Sequence, residues 1–331
     1  SNVLQLYYNG FIPFFFFLTY FTLPSVVKSY IIYFSKKEEN VMKKFAAIAL
    51  LSLTSLSLFA CGNNKSSGSS SSDGKIEVVS REDGSGTRGA FTEITGILTK
   101  DGDKEVDNTS KSAIIQNSTE GVISAVSGNQ NAVGYVSLGS LNDSVKAVEI
   151  EGVKASSDTV LDGSYKLQRP FNIVWGKDLS EIGQDFISFI HSTEGQKIVT
   201  DNKYVEAKTE TTSYSAVKLK GKLSVVGSTS VTPLMEKLAE AYKKLNPDVT
   251  IDITSNGSSA GITAAEEGTA DIGMVSRELT SDEGKNLEQD EIALDGIAVV
   301  VNSKNNISNL TLDQVKTIFT GDVTDWSKVE K

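Results

Sequence analysis

Arg81, Ser85, Gly86 and Thr87 fall within one seven-residue stretch, just after the apolar run Ile76-Glu77-Val78-Val79. A guanidinium presents a planar fork that suits an oxyanion, and small hydroxyls and backbone N–H groups add further donors. Beyond the loop, Phe91, Ile94 and Leu98 recur at helical spacing. The order strand, Gly/Ser/Thr loop, helix sets those donors at a helix N-terminus, where partial positive charge gathers and an anion can dock. The chain repeats the device. Leu223-Ser224-Val225-Val226 runs into Gly227-Ser228-Thr229-Ser230, ahead of Pro233 and a helix carrying Leu234, Leu238, Ala241, Tyr242 and Leu245. Asn256-Gly257-Ser258-Ser259-Ala260-Gly261 follows the strand Val249 to Ile253, and the strand Ala270-Asp271-Ile272-Gly273-Met274-Val275 ends in Ser276-Arg277. One Ser/Gly turn is ordinarily only a turn. Four of them, each at a strand's end, point to two lobes closing on one small oxyanion.

The elements that must position these loops alternate. Strand-like runs (132–136, 249–253, 297–301, and Arg169-Pro170-Phe171-Asn172-Ile173-Val174-Trp175) are interleaved with helical patterns such as Ile182, Phe186, Phe189 and Ile190. That alternation reads as α/β. At 331 residues and 39% hydrophobic content the chain is long enough for two ordinary domains. Its formal charge of −10 argues against nucleic acid as a partner. It does not argue against an anion, because local dipoles and a guanidinium decide a site while net charge governs steering and solubility. A single Cys excludes an intramolecular disulfide, and the single His, His191, excludes His-rich metal sites.

Met42-Lys43-Lys44, the apolar stretch from Phe45 to Phe59 and Leu58-Phe59-Ala60-Cys61 read as a secretory signal with a lipoprotein cleavage box over 42–60. Cys61 would then be the acylated N-terminal residue. Removing residues 1–60 takes away five Lys and two Glu and leaves a net charge of −13. Residues 1–41 hold no Met and an aromatic run from Phe14 to Phe21, interrupted by Pro24 and Lys28; the reading is a mis-extended upstream segment, to be left out of fold reasoning. Residues 61–74 form a Ser/Gly tether, and a second linker, rich in Thr, Ser and Lys, spans 206–221.

The segments Arg81 to Thr87, Gly257-Ser258-Ser259-Ala260-Gly261, Ala270-Asp271-Ile272-Gly273, Arg169 to Val174 and Phe189-Ile190-His191-Ser192-Thr193-Glu194-Gly195-Gln196 resemble the substrate-binding protein of the phosphate ABC importer. The likeness runs through nearly all of 75–331. It implies a two-lobe periplasmic-binding-protein-like (type II) fold and phosphate ligands at Thr229, Ser230, Ser258, Arg81, Ser85, Gly86 and Thr87, with Ser276 and Arg277 as further candidates. Where some members place an Asp that accepts the proton of hydrogen phosphate, this chain has Ser276 followed by Arg277. The order departs too. Members usually begin with the Leu223-type strand and reach the Arg-x-Asp-Gly-Ser-Gly-Thr loop mid-chain, so this chain reads as a circular permutant, with 206–221 bridging the usual termini. The expected lobes are 75–160 with 302–331, and 161–301, closing by hinge motion at the two strand crossings.

The resemblance further implies a lipid-anchored extracytoplasmic receptor at the cell membrane. It would be monomeric, with inorganic phosphate, permease subunits and their ATPase as partners, no cofactor and no chemistry of its own. Asp83 is expected to hold the Arg81 guanidinium. Arg277 is open between an oxyanion ligand and a partner of Glu278 or Glu283; His191 is expected at the solvated surface, Trp175 and Trp326 in packing. Three other functions compete. A binding protein for sulfate or molybdate would share this architecture. A phosphoester enzyme lacks a metal-ligand cluster or a nucleophile–base pair around the lone His, and an adhesive surface lipoprotein would not need four converging anion loops.

Overall fold

The computed structural model describes residues 74–102 and 104–329. The expectations for 1–41, for the signal at 42–60, for Cys61 and for the tether as far as residue 73 lie outside the described residues. One ten-stranded sheet runs through the described chain. Its main path is Val249–Ser255, Gly221–Gly227, Ile272–Val275, Gln168–Trp175, Glu288–Asn302, Ala132–Ser137, Glu77–Arg81 and Ile114–Gln116. At both ends neighbouring strands are parallel. In the middle, Gln168–Trp175 pairs antiparallel with Glu288–Asn302, and each meets its other main-path neighbour antiparallel as well. Parallel strands need helical crossovers that cover the sheet faces. That is why Ala132–Ser137 and Ile272–Val275 are buried at every position, and why 132–136 and 272–275 read as apolar runs.

The sheet carries two separate cores. One gathers Val79, Phe91, Tyr135, Val299 and Phe319, with the Phe91 and Tyr135 rings stacked at 4.0 Å. The other gathers Phe171, Phe186, Leu234, Tyr242 and Ile272. Tyr165, Leu167 and Ile297–Val301 pack in the first core, although the sequence reading put 161–301 with the second. The change of core falls within the two central strands, close to where Arg169 stands opposite Asp295 and Gln168 opposite Gly296. Those two strands are the crossings between the halves.

Three local expectations are corrected. Leu98 does not continue the first helix, which ends at Ile94; the chain reverses through Gly96, at φ +68°, and Leu98 opens a hairpin strand. The strand expected at 297–301 starts at Glu288, and the charged opening Glu288-Gln289-Asp290-Glu291, with a bulge before Ala293, hides it from an apolar pattern. His191 is not solvated: its side chain is 11% exposed and Nε2 lies 2.6 Å from Asp290 Oδ2. The stretch 207–220 has no regular structure, yet it is pinned. Thr193 N–H donates to Thr212 O at 3.0 Å, Tyr214 N–H to Glu194 Oε2 at 2.8 Å, and the Tyr214 hydroxyl to Asp185.

Candidate functional site

Four helix starts converge between the two cores. The helices Gly86–Ile94, Thr119–Gly128 and Ser258–Glu266 begin at residues of the site, and Thr232–Leu245 begins two residues after Ser230. Each follows a strand end, so the chain arrives extended and turns, leaving the first N–H groups of the helix free to face a ligand. Ser85 caps the first of them, its Oγ accepting from Arg88 N–H at 3.4 Å. Pro233 sits in the first turn of Thr232–Leu245, where a missing N–H costs nothing.

Hydroxyls meet where these helices begin. Thr87 Oγ1 lies 2.9 Å from Ser230 Oγ, and Thr119 Oγ1 lies 3.0 Å from Ser230 Oγ and 3.2 Å from Thr229 Oγ1. Ser228 Oγ donates to Ser276 Oγ at 2.8 Å; Ser276 Oγ is 3.3 Å from Ser258 Oγ, which also accepts Ser276 N–H at 3.1 Å. Ser230, Ser258 and Ser276 are wholly buried, and Thr87, Thr119 and Ser228 nearly so. Thr87 and Thr119 come from the first half; the serines and Thr229 come from the second. Each hydroxyl can rotate to donate, so the cluster can exchange these mutual bonds for bonds to a shared acceptor. An oxyanion is such an acceptor.

The guanidinium expected at the site is there. Arg81, the last residue of its strand, is buried and turns Nη1 toward Thr119 Oγ1 at 3.4 Å. Its Nε and Nη2 are held by Glu82, at 2.8 and 2.9 Å. This corrects the role given to Asp83, which is fully exposed and pairs with Arg88 at 3.0 Å instead. In an extended strand residues i and i+2 share a face, which favours Asp83. Here the chain already turns at Glu82, whose carbonyl accepts Ser85 N–H at 3.2 Å, and the alternation is broken. Arg88 holds the loop from behind by donating to Arg81 O at 2.9 Å.

Gly86, Thr87, Thr229, Ser230, Ser258 and Ser276 are thus brought together, with Arg81 joined to them through Thr119, while Ser85 caps the helix that Gly86 opens. Arg277 is not among them. Its guanidinium grips Glu283 through two contacts of 2.8 Å and reaches Ser259 Oγ at 3.4 Å. Two members were missed by the sequence reading: Thr119 and Ser228. Ser118-Thr119-Glu120-Gly121 after the strand Ile114–Gln116 is a fifth copy of the same device and could have been found by it.

Behind the cluster lies a buried ion pair. Arg169 Nη2 is 3.1 Å from Asp295 Oδ2, both side chains being almost wholly inaccessible, and Arg169 Nη1 donates to Ser276 O at 3.0 Å. Asp295 also accepts the Ser137 hydroxyl at 2.9 Å. Burial pushes the Asp295 carboxyl up to about 6, against the pull of Arg169 and Ser137, and burial likewise lowers Arg169 from its ordinary value.

A family profile described as a PBP superfamily domain matches residues 57–194 and 206–331. The phosphate-binding protein PstS 2 of Streptococcus pneumoniae is 68% identical over 288 residues, covering 87% of this chain and 99% of the relative. PstS 2 of Streptococcus agalactiae is 48% identical, covering 88% of this chain and all of the relative. Among solved structures, a phosphate-binding protein of a phosphate ABC transporter from Streptococcus pneumoniae superposes with a TM-score of 0.64 at 72% identity, covering 78% of this chain and all of that one. The chain belongs to the PBP superfamily and, within it, to the PstS-type phosphate-binding proteins.

Proposed function

We propose that this protein is the phosphate receptor of an ABC importer, holding inorganic phosphate between its two lobes and handing it to the permease subunits and their ATPase. The observation that carries this reading is the buried cradle of hydroxyls from both halves, closed around Arg81. Phosphate would be met by Arg81, Ser85, Gly86 and Thr87 from one side and by Thr229, Ser230, Ser258 and Ser276 from the other, with Thr119 and Ser228 added by the geometry. A neutral hydrogen bond is worth about 1 kcal/mol net and a charge-assisted one about 1.5–3. Several of them in a dehydrated cleft reach micromolar affinity, about −8 kcal/mol. The reading leaves the protein without chemistry of its own, and His191 is engaged by Asp290 rather than by any nucleophile of the cradle.

The lipid anchor at Cys61, the extracytoplasmic location at the cell membrane and the monomeric state belong to the same proposal. Among the described residues no helix is long and apolar enough to cross a membrane. The rearranged order of the motifs is proposed as well. Ile76 N–H donates to Thr324 O at 2.9 Å, and Trp326 N–H to Gly74 O at 3.4 Å, so the two ends of the described chain lie side by side. Adjacent ends and an exposed junction are what permutation requires. The two streptococcal relatives align with this chain along essentially their whole length, and so share its order.

Titration calorimetry of exhaustively dialysed protein against phosphate, then sulfate, tests the receptor reading. Micromolar or tighter phosphate binding without sulfate binding is expected; absence of phosphate binding would falsify it. Gly86 offers a second check. A Cβ there would stand 2.3 Å from Ser258 Oγ and 2.7 Å from Ser276 Oγ, so alanine at this position holds the halves apart. Overpacking of this kind costs about 1–3 kcal/mol, roughly 5- to 150-fold in Kd. Gly86→Ala is expected to lose that much phosphate affinity while the Tm of the phosphate-free protein stays unchanged.

A further inference from the structure

Ser276 belongs to the cradle, but the next residue does other work. Two oxygens of Glu283 and the carbonyl of Glu278 hold the Arg277 guanidinium, at 2.8 to 2.9 Å, and Nη2 reaches Ser259 Oγ at 3.4 Å. Held at its tip, the stem is laid across the seam onto the first-half helix Gly86–Ile94. A Cβ added at Gly89 would lie 3.2 Å from Arg277 Cδ and 3.8 Å from Nε, so the stem rests on bare backbone. Beside it, Ser259 N–H donates to Gly84 O at 3.0 Å, again from one half to the other. Neither contact uses a cradle hydroxyl. Outside them opens a cavity of about 400 Å³ lined from both halves, by Ser85, Arg88 and Gly89 on one side and Ser259, Arg277 and Leu279 on the other.

We propose that Arg277 is the latch of the closed cleft: fixed by Glu283, its stem seats on Gly89, and with the Ser259–Gly84 hydrogen bond it sets how fast bound phosphate leaves. The inference rests on the receptor reading above. A contact that exists only when the halves meet stabilises the closed, loaded state and is absent while phosphate approaches the open one. Its loss therefore speeds release and leaves capture nearly unchanged. A ligand of the anion itself would also draw phosphate in, and its loss would slow capture.

The test is rapid-filtration kinetics with radiolabelled phosphate, chased by excess unlabelled phosphate, on the full protein. Arg277→Ala is expected to speed dissociation about tenfold with association within about twofold. Gly89→Leu lifts the stem from the other side, and it replaces a helix-interior glycine with a better helix former, so folding is spared. It should show the same faster release, and the double variant should release no faster than either single one. Unchanged release in both variants, slower capture in Arg277→Ala, or wild-type release in Gly89→Leu alone would each overturn the latch. A wild-type protein that binds no phosphate would instead overturn the receptor reading.

Discussion

Replacing Arg81 with alanine is expected to raise the phosphate Kd by roughly 30- to 5,000-fold, the equivalent of about 2–5 kcal/mol for removing one partner of a desolvated charged contact. The guanidinium is buried at the floor of the cradle, with Nη1 directed at Thr119 Oγ1, and with Nε–H and one Nη2–H given to Glu82. Both Nη1–H groups and the second Nη2–H are thus the donors that an anion can draw on. Because the site excludes water and salt, the loss should persist at raised ionic strength, unlike that of a surface charge. Arg81→Lys retains the charge but not the fork, and should fall between wild type and alanine. Titration calorimetry at two salt concentrations reads the effect. An alanine variant within threefold of wild type would remove Arg81 from the site.

The loops of the cradle were legible because each is local. A strand end, a small-residue turn and a helix start occupy ten consecutive residues or so; that order picks out the loops holding Arg81, Thr87, Ser230 and Ser258, and the family resemblance points to the residues within them. What escaped depends on distance or on a turn. Thr119 follows an edge strand whose two isoleucines are exposed or nearly so, and the weak apolar pattern there did not mark a strand. Glu82 replaces Asp83 as the Arg81 partner because the turn begins one residue earlier than extended geometry implies. Arg277 follows Ser276 directly, yet the backbone sends the two side chains to different places, one into the cradle and one onto the seam. Arg169 and Asp295 are 126 residues apart and meet only through the antiparallel register of the two crossing strands. No spacing rule reaches that far.

That pair carries the second large effect. Arg169→Met removes the guanidinium but keeps much of its volume, taking the Arg169 hydrogen bonds from the Asp295 carboxyl and the Ser276 carbonyl. Breaking a buried pair from one side costs about 3–5 kcal/mol. The sign of the pH dependence follows from the carboxyl. In the folded protein Asp295 is raised to about 6 from an ordinary 3.8, so its contribution to stability is fully present below the lower value and is lost as pH rises through the upper one. Without Arg169 the folded carboxyl climbs further, because burial then acts without the opposing cation. The deficit of Arg169→Met relative to wild type is therefore expected to be largest near pH 8 and to shrink as pH falls below about 6, where both proteins hold Asp295 neutral. Urea unfolding of both proteins at pH 5 and pH 8 measures it. The groups facing the pair (Ser137 and the Gly139 N–H from the first half, Tyr204 from the second core, Arg81 from the cradle) are common to both proteins and cancel in the difference. A deficit equal at the two pH values would show that Arg169 leaves the Asp295 titration unchanged, and that it acts by packing and through Ser276 alone.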